Sequence, residues 1–251
     1  MPTRRNATGT IKTPPVIGHR GAAGHAPENT LAGIRKAAAL GVRWVEFDVR
    51  LTRDDHPILF HDETLQRTTN GRGRISDLDW DDIGRLDAGG WFGPDYAGER
   101  IPTLEEAAAL LASLDLGANV EIKASPGREI ESGHIITALL QDVWPKARPL
   151  PLISSFQRDT VAAALAEAPE IPRALIAGKV PPDWPEILSN LACEGLHCRH
   201  DALTAKQADA VISAGFSLRC YTVNNDALAR PLFAWGVESV FTDFPDRIRA
   251  G

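Results

Sequence analysis

The sequence predicts an α/β protein, a (β/α)8 barrel of parallel strands alternating with helices, carrying a small inserted subdomain. Two observations lead there. Short apolar runs alternate with Ala/Leu-rich segments over most of the chain. That alternation is the pattern of βαβ units, which build parallel sheets. The length, 251 residues at 43% hydrophobic, suits one barrel-sized core.

The expected strands cover 16–19 (VIGH), 44–48 (WVEFD), 118–122 (ANVEI), 151–155 (PLISS), 173–177 (RALIA), 195–198 (GLHC), 217–223 (SLRCYTV) and 238–242 (ESVFT). Each is a short apolar run bounded by polar residues or turn formers. Helices are expected over 29–40, 103–113, 128–142, 158–168, 184–192, 204–214 and 226–235. Thr103 stands before Glu105 and Glu106, Asp201 and Thr204 stand before the sixth helix, and Asn225-Asp226 opens the seventh. Such residues can accept from the free N–H groups of a first turn. Gly41, Gly215 and Gly236 follow helices where a left-handed stop is expected. Residues 62–100 break the rhythm, being rich in Asp, Gly and Arg with Trp80, Trp91, Phe92 and Tyr96 interspersed. A structureless loop of that length is uncommon in a compact domain, so the segment reads as an insertion with short elements of its own. The domain reading is a flexible tail over 1–13 and one barrel over 14–251, insertion included.

The formal charge of −6 and a pI near 5.7 argue against nucleic acid and against anionic membrane surfaces. No apolar run reaches the ~18 residues of a membrane helix, so no stable membrane insertion is expected. MPTRRNATGTIKTPP has basic residues but no apolar stretch of a secretory signal. Cys193, Cys198 and Cys220 are odd in number and form no CxxC, which suits free thiols in a reducing compartment. The expected location is cytoplasmic.

Glu46 and Asp48 lie two positions apart on an expected strand, so both point to one side, with Trp44. Val45, Phe47 and Val49 take the other side. Barrel interiors are filled by apolar layers, so two inward carboxylates need a cation or ion-pair partners such as Arg43, Arg50 or Lys123. With Glu121 arriving similarly in NVEIK, a hard divalent cation is the favoured reading. His19 and His61 each follow an apolar run (VIG and PILF) and should end strands at one rim. Imidazole can take or give a proton near neutral pH, and cleaving a phosphodiester needs both operations. Asp62 and Glu28 are available to orient or pair with them. His25, His56, His134, His197 and His200 look peripheral. Arg20 adjoins His19, and Lys123 projects to the side of Glu121; both suit the non-bridging oxygens of a phosphate. The set reads as a metal-assisted phosphodiester hydrolase.

The segments HRGAAGHAPENT, EFDVRLTRDDHPILFHDETLQRTTNGRG, IPTLEEA, NVEIK, SSF, YTVN and GVESVFTDFP occur in that order from about residue 16 to 248. They resemble the glycerophosphodiester phosphodiesterase family, and most of all its compact bacterial cytosolic members. The resemblance implies a TIM barrel with the inserted subdomain after the second strand. It implies a metal triad of Glu46, Asp48 and Glu121, catalytic His19 and His61, and phosphate contacts from Arg20 and Lys123. Glu28 and Asn29 match its PEN motif near the site. Tyr221 stands where many members have Trp and would line the pocket beside the glycerol or the leaving group. Glu238 replaces the usual Asp of the last motif and should face away from the site.

The expected reaction is hydrolysis of a small-molecule glycerophosphodiester to sn-glycerol 3-phosphate and an alcohol, with Mg²⁺ or Ca²⁺. Water and the glycerol 2-hydroxyl both remain open as nucleophile. A lysophospholipase D-like activity is the alternative; it needs an acyl groove, which Trp91, Phe92, Phe156 and Tyr221 could line, although core or lid positions are the favoured reading of these four. Acyl transfer is disfavoured, since no G-x-S-x-G elbow occurs. Head group, ion and monomer or homodimer are open.

Overall fold

The computed structural model describes residues 11–146 and 148–249. Its strands are β1 (Val16–Gly18), β2 (Trp44–Leu51), β3 (Pro57–Leu59), β4 (Gly117–Ile122), β5 (Leu152–Ser155), β6 (Arg173–Ala177), β7 (Gly195–Arg199), β8 (Ser217–Tyr221) and β9 (Ser239–Thr242). All but β3 are parallel neighbours in a ring, which closes because β1 pairs with both β2 and β9. The (β/α)8 TIM barrel is therefore the fold. The helices are α1 (Leu31–Ala39), α2 (Trp80–Ile83), α3 (Leu104–Ser113), α4 (Glu129–Val143), α5 (Arg158–Glu167), α6 (Trp184–Asn190), α7 (Ala205–Ser213) and α8 (Asp226–Ala234).

Strand alternation sorts the core into two shells. Val45, Phe47 and Val49 of β2 pack outward with Ile34 of α1, Leu104 and Leu111 of α3, and Ile136 and Leu140 of α4. Trp44, one position out of phase, belongs to a separate cluster with Ile17, Leu152, Ala174 and Phe241 inside the ring. Burying each such side chain contributes roughly 1.5–3 kcal/mol. The helices begin as their caps dictate: Thr103 and Thr204 accept from the N–H groups of Glu106 and Gln207, and Asn225 from Leu228. Asp201 instead belongs to a 3-10 turn, His200–Ala202. Residues 29 and 30 are not helical, because Thr30 caps α1 and Asn29 is left-handed.

Two further expectations are corrected. PILF does not lead into the rim as a barrel strand. β3 folds back antiparallel on β2, with Leu51 opposite Pro57 and Val49 opposite Leu59. The hairpin overshoots the rim and returns, so His61 reaches the site from above. The flexible tail also cannot extend to residue 13. Ile11 and Thr13 are buried, and their N–H groups donate to Glu194 (2.9 Å) and Glu238 (2.7 Å). Fully buried Arg219 donates to the Ile11 carbonyl, the Thr13 hydroxyl and Glu194, so residues 11–13 strap the lower barrel opening. Residues 1–10 lie outside the described residues. Glu238 thus faces away from the catalytic rim and serves this strap.

Within 62–100, α2 and two 3-10 turns, Ile75–Asp77 and Pro94–Tyr96, surround a small core of their own. Leu65, Ile75, Ile83 and Ala88 pack there with Ile58, Phe60 and Ile101. The segment leaves the barrel directly after His61.

Candidate active site

The rim at the carboxyl ends of the strands encloses a cavity of about 220 Å³, lined among others by His19, Arg20, Glu46, His61, Glu121, Lys123, Phe156 and Tyr221. Register explains the convergence. Glu46 lies beside Asn119, and Asp48 beside Glu121, on adjacent parallel strands. Side chains two apart share a face, so the three carboxylates stack in neighbouring inward layers. One oxygen of each of Glu46, Asp48 and Glu121 lies within 4.8 Å of the others, and all three residues are buried.

The loop after β1 is shaped for close approach. Gly21 has φ +87°, and a Cβ there would lie 2.5 Å from the Gly33 carbonyl carbon. The chain can then turn under the start of α1 and present Arg20. Arg20 and Asn29 adopt left-handed backbone, φ 50° and 54°, and Asn29 N–H donates to the Arg20 carbonyl. Such conformations cost ~1–2 kcal/mol each and are tolerated best by Asn. The return is a clamp on Asp48: Asn29 Nδ2 donates to its Oδ2 (2.8 Å), and Asp48 N–H donates to Asn29 Oδ1 (3.0 Å).

Three carboxylates face two fixed cations. Arg20 Nε is 3.2 Å from Asp48 Oδ2, and Arg20 Nη1 donates to Glu28 (2.8 Å). Lys123 Nζ pairs with Glu121 and lies 3.4 Å from Asp48. Arg50 does not pair with the carboxylates; its Nε donates to the His61 carbonyl (2.8 Å) and fixes that turn. Burial would raise the Asp48 carboxyl, but Arg20 and Lys123 overcome it and hold it low. Burial, reinforced by the Asp48 charge, raises Glu46 and Glu121. The deeply buried Glu46 Oε1 has no hydrogen-bond partner among the described residues. An anionic oxygen left so is costly without a cation, and an all-oxygen donor set suits a hard divalent ion. The residues therefore fit a divalent-cation site.

Both histidines are held alike. His19 Nδ1 lies 2.7 Å from Asp243 Oδ1, and His61 Nδ1 lies 2.7 Å from Asp62 Oδ1. Each carboxylate fixes a ring and favours a proton on Nδ1, leaving Nε2 for chemistry. His19 Nε2 points inward, 3.9 Å from Glu46 Oε2. Burial alone would lower His19, but Glu46 and Asp243 overcome it and raise it. His61, nearer solvent, is lowered by burial and by Arg20 and Lys123, against the pull of Asp48 and Asp62. Glu28 touches Arg20 rather than the cavity. At the mouth, Phe156 is 45% exposed, 5.1 Å from Lys123 Nζ and edge-on to Tyr221. Tyr221 donates its hydroxyl to the Ala177 carbonyl.

The sequence of this chain is matched over residues 19–247 by the model of the glycerophosphoryl diester phosphodiesterase family. The chain belongs to this family. A glycerophosphodiester phosphodiesterase of Caldanaerobacter subterraneus subsp. tengcongensis is 34% identical over 239 residues, covering 93% of this chain and 95% of the relative. One from Bacillus subtilis is 32% identical over 250 residues, covering 92% and 83%. An Oleispira antarctica phosphodiesterase, solved with the product sn-glycerol-3-phosphate, superposes with a TM-score of 0.91 at 39% identity, covering 94% and 95%. This family member is accordingly a phosphoric diester hydrolase.

Sequence reasoning missed several residues of this family member's site. Asp243 also follows a strand end, in TDFP, so position offered a signal that only contact could complete. His197, expected to be peripheral, is buried in the cavity wall on β7. Burial and Arg219 push it well below its ordinary value, so it stays neutral. The period of two along GLHCR could have placed it inside, opposite in phase to Leu196 and Cys198. Asn119 forms the wall beside Glu46 and donates to Ser154. No helix among the described residues is long and apolar enough to cross a membrane.

Proposed function

We propose that the protein hydrolyses glycerophosphodiesters to sn-glycerol 3-phosphate and an alcohol by acid–base catalysis between His19 and His61. The observation that carries this is a buried carboxylate triad flanked by two imidazoles, each held at Nδ1 by its own aspartate at 2.7 Å. The Oleispira relative's complex with sn-glycerol-3-phosphate supports the same product here.

Glu46, Asp48 and Glu121 would hold the cation, with Mg²⁺ and Ca²⁺ both compatible with three carboxylates. When bound, it supplies charge stabilisation at the phosphoryl oxygens and lowers the pKa of the attacking hydroxyl. Arg20 and Lys123 orient the phosphate. His19, deeper in the cavity, takes the proton of the attacking hydroxyl at Nε2. The Glu46 charge that raises His19 would be offset with a cation at the triad, which would leave the imidazole neutral and able to act as base. His61, more exposed at the mouth, serves as the imidazolium, with one proton on Nδ1 toward Asp62 and a second taken from solvent on Nε2, and gives the Nε2 proton to the departing alkoxide, which can leave past Phe156 and Tyr221. Attack by water and by the glycerol 2-hydroxyl both use this pair. Three unpaired buried cysteines support a cytoplasmic site of action.

The exposed Phe156 beside Tyr221 favours one second reading, a lysophospholipase D-like activity with the acyl chain against that aromatic mouth. One assay separates the two: glycerol 3-phosphate release from glycerophosphocholine and glycerophosphoethanolamine after EDTA treatment, then with Mg²⁺, Ca²⁺ or Mn²⁺ restored. Cation-dependent release is expected from both. Cleavage of lysophosphatidylcholine alone would move the substrate to the second reading. Undiminished turnover without a divalent cation would overturn the triad's role.

A further inference from the structure

We propose that Arg67, contributed by the inserted subdomain, is a positioning residue that holds His61 in its working orientation through Asp62, braced against Glu28. This rests on the reading of His61 as a proton-transfer residue. Arg67 Nε and Nη2 donate to the two oxygens of Asp62 at 2.6 and 2.9 Å. On its other side, Nη1 and Nη2 donate to the two oxygens of Glu28, both at 2.7 Å. One guanidinium thus satisfies four carboxylate oxygens. Asp62 passes the restraint to His61 Nδ1, and Glu28 passes it to Arg20 Nη1.

A surface ion pair is ordinarily worth little, because two long side chains must be ordered in water. Here the geometry differs. The contacts are doubly bidentate, the arrangement that only the planar fork of arginine makes. Arg67 also projects from a packed segment, since its neighbours Leu65, Thr68 and Thr69 are buried. Leu65 N–H is tied to Gly73, and Thr69 to Leu65. Without Arg67, Asp62 is free to swing, because among the described residues the only other side chain bonded to it is the one it must orient. His61 would then populate ring positions from which Nε2 misses the reacting oxygen. The inserted subdomain acquires a catalytic purpose: its core carries the brace that sets one of the two imidazoles.

The test is a double-mutant cycle of Arg67→Met and His61→Ala, with Arg67→Lys alongside, measuring kcat and KM on glycerophosphocholine at saturating divalent cation. Misplacing a catalytic group by about 1 Å can cost on the order of 10²-fold. R67M should therefore lose about 10- to 100-fold in kcat in the wild-type background, and less than about threefold in the H61A background. R67K keeps the charge without the fork and should remain impaired. Thermal melts with and without the cation check that each variant folds; should R67M fail, R67K carries the same cycle. Equal losses in both backgrounds, or full rescue by R67K, would overturn the proposal. Undiminished kcat in H61A alone would instead remove the acid–base reading on which it rests, a result visible without any Arg67 variant.

Discussion

Asp243→Asn should cripple His19 while leaving the fold intact. Asp243 accepts from two donors at once: His19 at Oδ1 and Asn224 Nδ2 at Oδ2, both at 2.7 Å. Asn224 cannot turn over to help, because its Oδ1 already accepts from Asp243 N–H (2.9 Å) and the Thr242 hydroxyl (3.2 Å). An amide at 243 carries one acceptor and one donor. Whichever way it faces, a donor meets a donor, or His19 must move its proton to Nε2. That tautomer cannot serve as base. The lost bond is charge-assisted, worth about 1.5–3 kcal/mol. At 1.36 kcal/mol per decade, kcat should fall by about 10- to 150-fold. Steady-state kinetics on glycerophosphocholine at saturating cation measures it, with a thermal melt as the control for folding. A kcat within about threefold of wild type would refute the reasoning, since no charge-assisted bond of that size would then be acting in the transition state.

The cation-free protein should lose stability as pH rises above 4.5, because burial and Asp48 hold the Glu46 carboxyl above that ordinary value. Above it the unfolded chain ionises while the folded one resists, so the loss continues until the raised value is passed. Thermal melts across pH with EDTA should show it, and Mg²⁺ or Ca²⁺ should abolish it; identical profiles would count against a cation at the triad. Asn29→Ala removes both bonds that fix Asp48 and should weaken cation affinity by about 10- to 100-fold, read by calorimetric titration. An unchanged affinity would show Asp48 held adequately by Arg20 and Lys123. Arg219→Met leaves the Glu194 side chain, 7% exposed, without its charged partner and should cost about 3–5 kcal/mol, or roughly 6–20 °C in Tm, with kcat unchanged. A Tm within a degree would show that the strap is not held by charge.

The sequence by itself determined the barrel and the chemical set. Strand alternation in WVEFD separates Glu46 and Asp48 from Val45 and Phe47, because a period of two sends them to opposite faces whatever the surrounding fold. Length and the repeated βα pattern then left closure as the natural architecture. Only the tertiary structure decided which groups support that set. His61 arrives by an antiparallel hairpin, a reversal that the PILF run does not announce, since apolar composition carries no strand direction. Asp243 meets His19, and Arg67 meets both Asp62 and Glu28, through contacts between segments far apart in the chain or across a loop without period. Arg219 looks like any strand arginine in SLRCYTV, yet it is fully buried against residues 11–13 because ring closure brings that segment under β8. Local sequence fixes which way a side chain points along its own strand; barrel closure and the path of the inserted loop fix what it finds there.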